Sequence, residues 1–216
     1  SMIACFLALT VGVVFSFSRA AWLNLAIGLI VLIGVVAVRR LDRRAISLML
    51  VVLVGGLAIV GAVLGTGSLG FLKERAHLQN YDAHRFAAQA RGLTVGLHHA
   101  FGVGPGQFDV VSPVSSHSLY VRSLSEQGVL GLLVIAALVV GTIAFGVLNV
   151  IHGSDTYGIS AAALLAAWCG LVANSFFVDT LHWRHLWLVA ALIWAGTMRW
   201  QMVASSTRLR AVPQSV

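Results

Sequence analysis

Long apolar blocks alternate with short polar seams along this chain. Blocks at 2–17, 20–38, 45–65, 127–150, 158–178 and 185–203 are each near the ~20 apolar residues that a helix needs to cross a bilayer. The pattern predicts an all-α polytopic membrane protein of about six transmembrane helices. It divides the chain into three helices over 1–65, a long loop over 66–126, three more helices over 127–204, and a tail over 205–216.

Two of the blocks almost touch. A single helix over 2–38 would exceed ~50 Å at ~1.5 Å per residue, against a hydrocarbon core of ~30 Å. It would also place Arg19 near the membrane centre, at about 2.5–3.5 kcal/mol or more. Two spans meeting at "SFSRAAW" (16–22) avoid that cost and put Arg19 at the interface or in a cavity.

Inside the long loop the periodicity changes. In "AHRFAAQARGLTVGLHH" (83–99), Phe86, Ala90, Leu93 and Leu97 recur at helical spacing, and Arg85 and Gln89 lie off that stripe. An amphipathic helix resting on the membrane surface is expected. "FGVGPGQF" (101–108) reads as a tight turn, and its clustered N–H groups could form an anion nest. It is not a Walker motif, because no Lys-Ser/Thr follows. Next, Ser115 or Ser116 is placed to cap a helix running into the fourth block. On that helix His117, Tyr120, Val121 and Leu124 would share one face, and Arg122 and Glu126 would be i, i+4 partners.

Composition agrees with the pattern: 59% of the 216 residues are hydrophobic and 10% are charged, against ~25% charged in soluble domains. The net charge of +7 raises the question of nucleic acid, but its placement answers it differently. "RRLDRR" (39–44) and the tail's Arg199, Arg208 and Arg210 mark cytoplasmic ends by the positive-inside rule, and four spans separate them. No nucleic-acid partner is expected. The 66–126 loop and the turn at 179–184 then lie outside, where arginine should be scarce. With the junction around Arg19 also outside, Arg19, Arg75, Arg85, Arg91, Arg122 and Arg184 remain there and need a reason other than topology. Cys5 and Cys169 sit inside expected spans and read as packed thiols. The spacing of His98, His99 and His117 fits no familiar zinc site, so no metal is expected.

Four stretches together resemble the O-antigen ligase and O-antigen polymerase (Wzy-type) superfamily. "FSRAAWL" is like its Ser-Arg-small-small stretch at a span's outer end. "RFAAQARGLTVGLHHAFGVGPGQF" is like its arginine-led helix and Gly-x-Gly-x-Gly-x-aromatic turn. "HSLYVRSLSEQGVLGLL" is like its His-Asn-x-Tyr/Phe…Glu-x-Gly-x-x-Gly signature, and the last two spans fit its C-terminal pair. Ser118 stands where asparagine is usual, and His99-Ala100 where a proline is common. Members of the superfamily have about twice as many spans. With the apolar start at Ser1-Met2, this suggests the C-terminal part of a longer protein.

The resemblance implies a glycosyltransferase that moves a glycan from an undecaprenyl-pyrophosphate carrier to an acceptor hydroxyl on a glycan, lipid or protein. The reaction would be inverting and metal-independent, use no cofactor, and take place at the outer face of the cytoplasmic (inner) membrane. By resemblance His117 is catalytic and Arg19 and Arg85 hold the pyrophosphate. Arg184, in the same outer turn system, is a further candidate contact. Tyr120, Arg122, Glu126, Gly104 and Gly106 are expected to support the site. The chemistry is coherent on its own terms: arginine binds phosphate bidentately and keeps its charge, and histidine accepts a proton near neutral pH. The competing reading is a non-enzymatic transporter of a lipid-linked or anionic substrate. A transporter should gather polar groups near the midplane and show repeats, whereas these charges cluster at one face.

Overall fold

The computed structural model describes residues 2–39, 80–112 and 114–210, with positions 52, 54–56, 61, 65, 67, 70, 73, 74 and 77 between them. Most of the expected third span (45–65), Arg40, Arg43, Arg44 and Arg75 lie outside the described residues. The described residues are helical, with no strand among them. The elements are α1 (Met2–Phe15), α2 (Arg19–Arg39), α3 (Asn80–His98), α4 (Phe108–Val111), α5 (Leu119–His152), α6 (Ala161–Asn174) and α7 (Arg184–Arg210).

The first two blocks are separate helices, as the cost of burying Arg19 requires. Phe17 breaks the chain with a φ of +51°. The Trp22 indole then donates to Val13 O and Val14 O, which also accept from Ser16 N and Phe17 N, tying α2 to the last turn of α1. Arg19 is the first residue of α2. Among the described residues, Arg19–Val38 and Leu119–His152 are long and apolar enough to cross a membrane, and Ala4–Phe15 and Ala161–Asn174 are shorter apolar helices.

Helix α2 packs along α6 through small residues: a Cβ on Gly28 would meet Ala166 O at 3.5 Å, and one on Gly170 would collide with Asn24. Helices α5, α6 and α7 enclose a core of Leu119, Ile135, Leu164, Trp168, Leu171, Leu186, Ala190 and Ile193. At the end of the bundle away from His117, the buried Asn149 amide donates to Ile193 O (2.7 Å) and its oxygen accepts from Thr197 (2.9 Å). Small contact residues and interhelical hydrogen bonds of this kind hold helices together where no hydrophobic drive exists.

Helix α5 begins at Leu119, two or three residues later than the expected cap would start it and well ahead of the fourth apolar block, and changes direction at Gly128 (φ 73°, ψ −164°). The break is filled by the glycine-rich turn. Val103 N donates to Ser125 O and Gly104 N to Glu126 O, both at 2.9 Å, and Val129 N donates to Ala100 O at 3.0 Å. The Val103 and Gly104 N–H groups satisfy carbonyls that the kink exposes and so are not available to an anion nest, while Ala100 O in turn satisfies the N–H of Val129 beyond the kink.

Helix α3 lies across the first arm of α5. Gly92 faces Val121 and Phe108, and Gly96 faces Leu124. Its protein face is Asp82, Ala88, Gly92 and Gly96, all buried. The apolar stripe of Phe86, Ala90, Leu93 and Leu97 points away and is exposed.

Candidate active site

His117 does not belong to a helix. It precedes α5 with a φ of +46°, and Ser118 is the N-cap, its hydroxyl accepting from Val121 N at 3.5 Å. The expected cap at Ser115 or Ser116, and a shared helical face for His117 and Tyr120, are therefore corrected. Asparagine and serine are about equally good N-caps, so Ser118 can cap α5 as the usual asparagine would. A left-handed histidine costs about 1–3 kcal/mol and must be held by its surroundings. Gln89 Nε2 donates to His117 O (3.4 Å) and Phe176 O (3.2 Å), and Leu119 N donates to Ser175 O (3.0 Å). The loop is thus fastened to α3 and to the turn between α6 and α7.

Burial pushes the His117 imidazole below its ordinary value, and the Arg85 charge pushes it further; Asp179 and Asp109 act the other way. A neutral imidazole with an unprotonated nitrogen follows at neutral pH.

Arg85 sits between two cavities. One, of about 350 Å³, is lined by the polar Arg19, Asp82, Arg85 and Gln89 and by the apolar Leu23, Phe86, Phe177 and Val178. The other, of about 520 Å³, is lined by Tyr81, His84, Arg85, Val114 and His117. Arg85 Nη2 also donates to Phe177 O at 2.9 Å. Arg19 comes to the first cavity already engaged: it contacts Asp82, Tyr81 Oη (3.0 Å) and His77 O (3.3 Å). Arg184 opens α7, is exposed, and lines neither cavity.

The supporting residues form a second layer. Arg122 Nη1 reaches Asp179 at 2.6 Å, Nε lies 3.2 Å from Glu126 Oε1, and Asp109 is 3.9 Å away. The expected Arg122–Glu126 pair is present, but off hydrogen-bond geometry, and Asp179 is the stronger partner. Tyr120 Oη donates to Val172 O (3.0 Å) and its ring packs on Phe176 at 4.4 Å. Gly104 holds the turn against Glu126, while Gly106 has open space around it.

With this geometry in place, comparison with known families is decisive: the family model for O-antigen ligase matches residues 3–136. The chain belongs to the O-antigen ligase family. No curated protein and no solved structure matches it. Family and apolar helices together point to an inner-membrane protein with a glycosyl-transfer role that involves a lipid-linked glycan and an acceptor. The span matched to the O-antigen ligase family contains Arg19, Arg85, His117, Arg122 and Glu126; Arg184 lies beyond it.

In this O-antigen ligase family member, sequence reasoning missed the roles of Asp82, Gln89 and Asp179. A signal existed for the first two. Asp82, Arg85, Gln89, Gly92 and Gly96 follow one another at helical spacing, and the small residues mark the side where another helix can approach. Asp179 carried no local signal, since it meets Arg122 across 57 positions.

Proposed function

We propose that the protein transfers a glycan from an undecaprenyl-pyrophosphate carrier to an acceptor hydroxyl, without a metal and with inversion, at the outer face of the cytoplasmic membrane. The observation that carries this reading is the position of Arg85. It lines one cavity with Arg19 and the other with His117. A diphosphate in the amphipathic cavity would meet both guanidiniums, with its first isoprene units against Leu23, Phe86 and Phe177. Arg184 would meet only the outer part of a larger donor.

In the proposed step, neutral His117 takes the proton of the acceptor hydroxyl as its oxygen bonds to the anomeric carbon. The bond from that carbon to the phosphate oxygen breaks, and the lipid diphosphate leaves with the electron pair. Arg85 and Arg19 stabilise the charge that grows on the departing oxygen. The proton returns from His117 to solvent or to the released diphosphate. Arg122, Tyr120 and Glu126 hold the scaffold. The outer location rests on the arginine-rich 39–44 loop and tail marking the cytoplasmic ends, and diphosphate binding gives the outer arginines a use other than topology.

The test compares the full-length protein with His117→Ala at matched membrane levels. Lipid-linked donor should accumulate while the transferred product disappears. Normal transfer by the variant would remove His117 from the mechanism.

A further inference from the structure

We infer that the cavity walled by Tyr81, His84 and His117 is the acceptor site, that it takes a glycan, and that Tyr81 and His84 contact the incoming sugar. The inference rests on the glycosyl-transfer reading and goes beyond it by assigning the two cavities to different substrates.

An inverting displacement brings the nucleophile to the anomeric carbon from the side opposite the leaving group. The base must therefore stand on the nucleophile's side, and the cations that hold the diphosphate on the other. The two cavities divide along this line. His117 lines the one with Tyr81 and His84, whereas Arg19 and the apolar surface suited to a lipid line the other. Arg85 is common to both walls, where the transferred sugar would sit. Among the described residues, a donor lipid in the His117 cavity would find only Val114 as an aliphatic surface.

The lining also speaks for a glycan. Tyr81 is 45% exposed, and its hydroxyl accepts from Arg19 at 3.0 Å, which leaves the phenolic proton to donate to a sugar oxygen. Its ring offers an apolar surface against which the C–H face of a sugar can lie. His84 is exposed, immediately precedes Arg85 in α3 and lines the same cavity as His117, where its imidazole offers hydrogen-bonding nitrogens to a sugar. Two imidazoles, a phenol and a guanidinium match the dense, mixed hydroxyl groups of a sugar.

Two measurements on the full-length protein test the assignment. In a background free of other cysteines, the thiols of His84→Cys and Phe177→Cys are labelled with a maleimide in membranes, with and without undecaprenyl diphosphate. The lipid should slow labelling at position 177 at least five-fold and change position 84 less than two-fold. In transfer assays, His84→Trp, a surface substitution that fills the cavity, should raise the KM for an oligosaccharide acceptor at least five-fold while the donor KM stays within two-fold. Protection of position 84 by the lipid, a rise in donor KM instead, or a raised KM for a hydroxyl peptide with the glycan unaffected would overturn the inference. Absence of transfer by the wild type would instead defeat the glycosyl-transfer reading, and the thiol protection pattern would still decide which cavity holds the lipid.

Discussion

Arg19 Nη2 lies 2.6 Å and 2.7 Å from the two carboxylate oxygens of Asp82, joining the start of α2 to α3 across 63 positions. The two side chains are unequally buried, at 29% exposure for Arg19 and 8% for Asp82. That asymmetry decides which partner the fold tolerates losing. Asp82→Ala releases an arginine that can reach water. Arg19→Ala takes the arginine away from a buried carboxylate. The expected loss is about 2–3 kcal/mol for Arg19→Ala, below the ~3–5 kcal/mol of a fully buried pair, and clearly less for Asp82→Ala. Thermal unfolding of the purified protein in detergent checks the order. Equal losses, or the reverse order, would mean that Asp82 is held by other contacts.

Gln89 ties the His117 carbonyl to that of Phe176, so it acts on the base through the backbone. Gln89→Leu keeps the volume but loses both donors. Gln89→Glu, when ionised, can only accept, and the two carbonyls offer it nothing. Both variants should lower kcat about ten-fold or more, since a small misplacement of a reacting group is costly. Gln89 also lines the cavity proposed for the diphosphate, so for Gln89→Leu, which adds no charge there, binding of undecaprenyl diphosphate should fall clearly less than kcat. A loss confined to donor binding would make Gln89 a substrate contact rather than a positioning residue.

The pH profile follows from the His117 environment. A base must be unprotonated, so activity falls as pH drops through its pKa. Burial and Arg85 hold that pKa below the ordinary histidine value, so the acid limb of kcat/KM should lie below about 6.5. The exposed Asp109 opposes the shift. Asp109→Asn removes a negative charge, disfavours the imidazolium and should move the limb further down. An upward movement, or a wild-type limb above the ordinary value, would show that a different group titrates.

The apolar blocks made the helices legible because burial in lipid leaves a long, local signature, and the break before Arg19 was legible because a charge in mid-membrane is so costly. The pairings were not. Helical periodicity alone assigned α3 a face for the membrane, and the same periodicity contained its protein face, but only packing reveals that Asp82 and Gln89 point toward α2 and His117. The start of α5 was misjudged for a related reason. Ser115, Ser116 and Ser118 can each cap a helix, and the choice falls to Ser118 because His117 is held in a left-handed conformation by contacts from distant parts of the chain. Likewise the glycines of the turn were recognisable as turn formers, while their partner, the kink at Gly128, was hidden inside an apolar run.

That kink supplies a last contrast. Gly128 adopts φ 73° and ψ −164°, a region essentially reserved for glycine, and a Cβ there would collide with the Ala100 carbonyl that accepts from Val129 N. Gly128→Ala should therefore cost at least about 1–3 kcal/mol from backbone strain, with the collision added to it. It should also separate the turn from α5, loosening the arm that carries Tyr120 and Arg122. Gly106 also has a positive φ, of 72°, but a Cβ there meets nothing within 4 Å. Gly106→Ala should cost only the conformational term, about 1–2 kcal/mol. Unfolding midpoints and folded yield from membranes read both variants side by side. If Gly128→Ala were the milder of the two, the docking of the turn into the kink would not be what fixes the direction of α5 beneath His117.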